Sequence, residues 1–332
     1  MVKRADLLQQ AIASVAKQKL PYGCRMEIIV VNDRATDDTS KRVRELQKRY
    51  DKHIPVKLIE TSEWDDDIPA GKDQTISFQS KQFPQDAFGC GLSRNCGIAV
   101  ANTGRIRGRE NVILCLDSDD LLQPGFMEET ITYLRNNPDT PLVYTNQLLQ
   151  FYGRVLAGDR FGLWKAPLEL LERYLRPNFI PPQMPIQCSS VVFRKEFFDE
   201  YGYFWEKPQH EDSELWYRAC AMNPNLRFGY ITDPLSIFRI GATAEHNLGI
   251  ASLGEYIRYG RELLKAHTAI LQDNAQKFTR EEVQEQKALI RESYHRLDEL
   301  AQVFRRWQKG MLTKEEVQKK KGEIFAWVQY PL

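Results

Sequence analysis

The chain has 332 residues, 42% hydrophobic and 27% charged, with 46 basic residues against 45 acidic ones. That length permits one large or two ordinary domains around a sizeable core, and the near-neutral balance removes the electrostatic case for a nucleic-acid partner. No apolar run approaches the roughly 20 residues that span a bilayer, and the start "MVKRADLLQQ" lacks the apolar core of a secretory signal.

The six cysteines show no CxxC spacing, which predicts a reduced, cytoplasmic protein without a zinc site. Taken in chain order, "RADLLQQAIASVAKQ" sets Leu7, Leu8, Ile12 and Val15 on one helical face. "MEIIVVND" is a continuous apolar run ending in Asp33, the pattern of a buried parallel strand. "ATDDTSKRVRELQKRY" opens a helix with Thr36, Asp37 or Asp38 as N-cap, and "VKLIET" is a second short strand. Strands alternating with helices predict an α/β domain with a mostly parallel sheet, whose ligands gather at the carboxyl ends of the strands.

Residues 61 to 90 hold no sustained period and read as a long loop, its "DDD" a solvated acidic stretch rather than a second metal site. "GLSRNCGIAVAN" then predicts a turn and helix, and "NVILCLD" a strand. The stretch "VILCLDSDDLL" poses the central question. A buried apolar run ends in Asp117, Asp119 and Asp120, carboxylates that repel one another unless something positive stands beside them. The positioned Asp-Ser-Asp suits a hard divalent cation, Mn²⁺ or Mg²⁺, that keeps coordination places for phosphate.

From residue 126 the pattern becomes mixed: a helix at "FMEETITYLRNN", strands at "PLVYTNQLLQF" and "CSSVVFR", a Pro-rich stretch at 177 to 185, and a helix at "DSELWYRACA". Beyond about residue 249 the chain reads as helical. "FTREEV" and "LTKEEV" are capping boxes, with Thr279 and Thr313 paired to Glu282 and Glu316. Val283, Ile290, Tyr294, Leu297, Ala301 and Phe304 then form one helical stripe, which packs on the body or on a second copy of the chain. "KKK" at 319 to 321 suits a solvated face or contact with an anionic membrane surface.

"IIVVNDRATDDT", "GLSRNCGIAVAN", "ILCLDSDDLLQPGF" and "SSVVFRKEFFDEYGYFWEKPQHEDSELWYRA" occur in that order. Together they resemble the GT-A fold glycosyltransferases of family 2, over about residues 4 to 245. The resemblance implies a Rossmann-like sheet flanked by helices, with a C-terminal helical extension. Its segments are a nucleotide-sugar-binding half (1–125), an acceptor-binding, catalytic half (126–248) and the extension (249–332). It implies an inverting enzyme that moves sugar from a nucleotide-sugar, a UDP-sugar by preference, to a hydroxyl of a glycan, lipid-linked or protein acceptor. It also assigns roles. Asp33 would bond the uracil ring, Arg94 would hold the nucleotide, Asp117 would contact ribose, and Asp119, with Asp117, would bind the metal. Asp212 would be the general base, oriented by Glu211, and Trp205 a stacking surface for the acceptor.

Plainer roles stand beside these: Asp212 as a helix N-cap, Asp33 as a turn residue, Arg94 as a packing residue, Trp205 and Trp216 as core aromatics. The chain departs from the family pattern at Arg34-Ala35, where Gly-Ser is usual, and at Gly241, where relatives carry a metal-binding His; His246 is the substitute. No Gln-x-x-Arg-Trp follows "HED", which argues against a processive synthase. The family's first strand, which precedes the "RADLL" helix, is missing from this chain as it starts at Met1, so either the start lies upstream or another segment takes its place. Two other readings remain, a non-catalytic scaffold whose helical tail binds a partner, and a nucleotidyltransferase, which would need a Gly-rich turn the sequence lacks.

Overall fold

The computed structural model describes residues 4–50, 52–61, 67–70, 74–77, 89–101, 111–151, 161–164, 186–207, 210–240 and 253–325. The chain divides into two compact units. The first comprises Met1–Ala166, Ile186–Pro208 and Arg227–Ala244. Its helices are α1 (Arg4–Ala16), α2 (Thr39–Tyr50), α3 (Gly89–Val100), α4 (Phe126–Asn136) and α5 (Glu196–Tyr201). Its strands are β1 (Ile28–Asn32), β2 (Val56–Glu60), β3 (Asp67–Ala70), β4 (Gln74–Ser77), β5 (Val112–Leu114), β6 (Leu121–Leu122), β7 (Leu142–Phe151), β8 (Phe161–Trp164), β9 (Val191–Arg194) and β10 (Gly229–Ile240).

The expected α1 face is the one that packs. Leu7, Leu8, Ile12 and Val15 are all buried. Leu8 and Ile12 join Val30, Val43, Leu46 and Val56 in a core between α1, α2 and the β1–β2 pair. Val15 joins Leu122, Phe126, Ile131, Val143 and Leu235 in a second core, against which Ile28 and Leu114 also pack. One helix thus ties the two apolar layers of this unit together by burial, a non-directional force that needs no strand pairing.

The sheet is mixed where a mostly parallel one was expected. β1 and β2 pair in parallel across the α2 crossover, and β7 pairs in parallel with β10. The order β5-β9-β7-β10-β6 is otherwise built from antiparallel pairs, with β8 antiparallel on β7. β3 and β4 form a separate antiparallel pair, so part of the stretch read as loop is a hairpin. Parallel neighbours need a crossover of a dozen or more residues, whereas a returning chain pairs antiparallel, and β9 returns between β5 and β7. β10 is hidden from pattern reading because Pro234 interrupts it. The structure absorbs the proline as register shifts on either side, the usual accommodation of a residue that cannot donate to the ladder.

The second unit comprises Pro167–Pro185, Gln209–Leu226 and Glu245–Leu332. Its helices are α6 (Glu211–Met222), α7 (Leu253–Asn274), α8 (Arg280–Gln308) and α9 (Lys314–Phe325). The compact units therefore run differently from the expected segments at 125 and 248. The "HED" helix α6 packs on α7, in the same unit as the C-terminal helices, because its buried face (Leu215, Trp216, Tyr217, Cys220) needs an apolar partner. Both capping boxes form. Thr279 N–H donates to Glu282 Oε2 (2.8 Å) and Glu282 N–H to Thr279 Oγ1 (3.2 Å); Thr313 and Glu316 repeat this at 2.7 and 3.2 Å. The α8 stripe packs as patterned, with Ile290, Leu297 and Ala301 buried beside Tyr294 and Phe304.

Two histidines lie in this unit's interior. His267, on α7, is fully buried and stacks on Tyr217 at 3.8 Å. Burial, with His210 nearby, pushes its pKa down to about 3, and burial pushes His210 down to about 4. Both stay neutral in the fold. The unfolded chain gains their protons below about pH 6.5, where the folded chain refuses them, so stability is full above that pH and falls as the pH drops. Two such groups remove about 3 kcal/mol between roughly pH 6.5 and pH 5, above the usual carboxylate range. Urea unfolding at intervals across that window is expected to show a falling midpoint; a flat midpoint would mean that these rings already charge in the fold.

Candidate active site

The first unit gathers most of the expected residues at strand ends. Asp33 follows β1. Its Oδ1 accepts from Thr61 Oγ1 (3.2 Å) and its Oδ2 from the Gly89 N–H at the start of α3 (2.8 Å). Negative charge at a helix N-terminus is favourable, so the carboxylate both fixes this turn and anchors α3. Asn32 braces the other side, donating to Ser40 Oγ (2.7 Å) and Glu60 Oε2 (2.8 Å) and accepting from Ala35 N–H. Arg34 takes φ 54°, a left-handed conformation. The backbone that glycine would provide is thus kept, at the roughly 1–2 kcal/mol that a side chain costs there.

Helix α3 presents Arg94 to Asp117. Arg94 Nη2 and Asp117 Oδ1 stand 2.6 Å apart, with Arg94 mostly buried. The guanidinium lies 5.3 Å from the Phe204 ring centroid, on an aromatic bed that includes Phe193 and Phe198. Asn95, next in sequence, clasps the Phe204 backbone in both directions at 2.9 Å. The packing role expected as Arg94's alternative therefore coexists with an ionic one. Trp205 follows directly and is half-buried, whereas Trp216 is 1% exposed and belongs to the core.

The acidic turn after β5 is held from beneath. Ser189 Oγ accepts from the Asp117 N–H (3.1 Å), and the Asp120 N–H closes the turn on the Asp117 carbonyl (3.0 Å). Asp119 and Asp120 are buried. Asp120 Oδ1 accepts from the Arg239 N–H (3.0 Å). Burial, with Asp117 and Asp119 adding repulsion, pushes the Asp120 carboxyl well above the usual carboxylate range.

Arg239 is the residue that sequence reasoning missed. It is fully buried on β10. Its Nε donates to the Asp119 carbonyl, its Nη1 to Gln10 Oε1 (2.6 Å) and its Nη2 to the Leu7 carbonyl (3.3 Å). One planar fork thus joins the acidic turn to α1. The positive groups beside the three carboxylates are, in the first instance, Arg94 and Arg239. A lone arginine inside the apolar run "LSIFRI" was the available signal.

Among the described residues no three His, Cys, Asp or Glu side chains converge as a metal cage. The chemistry of Asp117 and Asp119 nevertheless fits Mn²⁺ or Mg²⁺ held by one or two carboxylates, with its other places for phosphate oxygen and water. His246, the substitute ligand, lies outside the described residues, as does Gly241.

Glu211 and Asp212 belong to the second unit, at the start of α6. Asp212 is not the N-cap. His210 holds that place with φ 65° and ψ 20°, so the helix starts two residues earlier than the capping alternative requires. Asp212 Oδ1 accepts from the Ser213 N–H (2.7 Å), and Glu211 is buried. Glu214, one residue further, is neutralised by Arg218 through paired contacts at 2.8 and 2.9 Å. Glu211 and Asp212 stand in the same first turn of α6 as this carboxylate–guanidinium fork.

The family model described as glycosyltransferase like family 2 matches residues 2–223. A relative, the amylovoran biosynthesis glycosyltransferase AmsE of Erwinia amylovora, is 27% identical over 135 residues, 40% of this chain and 47% of the relative. The match thus spans about half of that relative's length. The structure of the mannosyltransferase PcManGT from Pyrobaculum calidifontis, in complex with GDP-Man and Mn²⁺, aligns with a TM-score of 0.46 at 16% identity, over 96% of this chain and 82% of that one. Among the described residues no helix is long and apolar enough to cross a membrane. On the match to its model, which takes in the Asp33 turn, the Arg94 helix, the Asp117–Asp120 turn and the "HED" helix, the chain belongs to glycosyltransferase-like family 2.

Proposed function

We propose that the chain is an inverting, non-processive glycosyltransferase that uses a nucleotide-sugar donor, a UDP-sugar, and either Mn²⁺ or Mg²⁺. The observation that carries the reading is the acidic turn Asp117–Asp120. It closes a buried strand, is braced by Arg94 and Arg239, and keeps carboxylates together at a cost that a purely structural turn would have no reason to bear.

Asp33 and Arg94 hold the nucleotide, Asp117 its ribose, and Asp119 with Asp117 the cation. A divalent cation bound there supplies neutralising charge for the diphosphate leaving group. Asp212 takes the proton from the acceptor hydroxyl as its oxygen attacks the anomeric carbon and the bond to diphosphate breaks. Glu211 orients that base or the acceptor, and Trp205 offers a half-buried ring for a sugar to stack on. The acceptor is a hydroxyl of a glycan or of a lipid-linked sugar. The name of the Erwinia relative, a glycosyltransferase of amylovoran biosynthesis, supports an acceptor in polysaccharide assembly.

Thermal unfolding with UDP, with Mn²⁺ and with both tests the donor site. A ligand present at about 100 times its Kd and bound only by the folded chain adds about 2.7 kcal/mol. The expected result is a large rise that needs both ligands and is lost in Asp119→Asn. An equal rise in that variant would remove Asp119 from the site.

A further inference from the structure

We propose that His210 is a positioning residue for Asp212, transmitting the packing of the C-terminal helices to the turn that carries the base. The inference rests on the reading of Asp212 as that base. His210 takes a left-handed backbone conformation, φ 65° and ψ 20°, which costs a histidine about 1–2 kcal/mol. It gives the helix no side-chain cap in return. Asn or Gly would hold this backbone more cheaply, so the reason for a histidine lies in its ring.

That ring is seated on α7. It donates to the Tyr256 backbone carbonyl and lies 5.0 Å from the Tyr256 ring. Its Nε2 is sealed from solvent and has no hydrogen-bond partner among the described residues, so the ring is packed as a neutral wedge rather than used as a ligand. Gly260, one turn beyond Tyr256, lies beside it. A Cβ there would meet His210 Nε2 at an ordinary contact distance of 3.8 Å and would crowd Leu297 Cδ1 of α8 at 3.1 Å. Helices α6, α7 and α8 therefore meet at this glycine, with His210 as α6's contribution.

Asp212 Oδ1 accepts from the Ser213 N–H (2.7 Å) and stands 3.4 Å from Ser213 Oγ, and the His210 carbonyl accepts from the Glu214 N–H at 3.0 Å, closing the first turn of α6. The apolar face of α6 seats the helix on α7, and the His210 ring adds a contact with α7 at the start of that turn. A ring packed two residues before Asp212 thus ties the turn that carries the base to α7. This gives the C-terminal helices a part in turnover without requiring any contact with substrate.

Two variants separate positioning from bulk stability. His210→Asn keeps a residue that tolerates the left-handed backbone and removes the wedge; His210→Phe keeps a ring of similar size. Steady-state UDP release from the best of a panel of UDP-hexoses, with Mn²⁺, is measured for both, alongside hydrogen exchange across residues 211–215 of the full chain. His210→Asn is expected to lower kcat by about 10–100-fold with donor KM unchanged and to speed exchange in that turn, the scale expected for a small misplacement of a catalytic group. His210→Phe is expected to recover kcat to within about five-fold, as a conserved wedge geometry requires. An unchanged kcat or unchanged exchange in His210→Asn overturns the proposal, as does a failure of His210→Phe to rescue. Asp212→Asn run in parallel distinguishes the two levels. If it stays inactive, any such failure belongs to His210 alone; if it is active, the base assignment itself falls and the positioning role with it.

Discussion

Arg239→Met is expected to lower the unfolding free energy by about 3–5 kcal/mol, the range for removing one side of a buried charged network. Two buried acceptors, the Asp119 and Leu7 carbonyls, lose their donor at once, and so does Oε1 of the exposed Gln10. Each polar group left unsatisfied in the interior costs about 1–3 kcal/mol. Methionine fills much of the volume, so the loss reads out hydrogen bonding and charge rather than a cavity. Against the roughly 5–15 kcal/mol of a typical domain this is a large fraction. The comparison with Arg239→Lys is decisive for mechanism. Lysine restores the charge but not the planar fork that reaches three directions, so it should recover only part of the loss. Urea unfolding of both variants makes the measurement. A midpoint for Arg239→Met matching wild type would mean that α1 and the acidic turn are held independently of this side chain. Because Asp120 also accepts from the Arg239 N–H, a contact that substitution leaves in place, the variant should keep the fold's topology while loosening the turn.

What was legible in the sequence is what the chain writes locally. The α1 face, the capping boxes of α8 and α9, and the acidic turn after β5 each depend on residues within a turn or two of one another, and each is found as read. Asp33, Arg94 and Asp117 were legible as types in order, and the structure adds what they grip: a helix N-terminus, and each other. What stayed hidden is long-range. Arg239 meets Asp119 across 120 positions of chain, and no local period announces such a pair. The Asn95 clasp on Phe204 spans 109 positions and escapes for the same reason. The sense of strand pairing was misjudged because apolar strands carry no label for their neighbours, and Pro234 disguised β10. The N-cap of α6 lies two residues before Asp212, because a left-handed His210, held by α7, overrides the capping preference of Asp212.

Asp212→Asn is expected to reduce kcat by about 1,000-fold while leaving the nucleotide- and Mn²⁺-dependent thermal shift intact, as removal of a general base does when binding is undisturbed. The substitution is well posed structurally. Asparagine keeps the Oδ1 that accepts from the Ser213 N–H, so the first turn of α6 retains its internal contact. What it loses is the ability to accept a proton. Asp119→Asn should fail in the opposite manner, losing the thermal shift along with turnover, because the role proposed for it is in holding the donor complex. The two variants therefore divide binding from chemistry, and the division is sharper than either loss of activity alone. If Asp212→Asn kept turnover within about ten-fold of wild type, the proton would be going elsewhere. Glu211, the adjacent buried carboxylate, is then the group to replace, since Glu214 is already committed to Arg218.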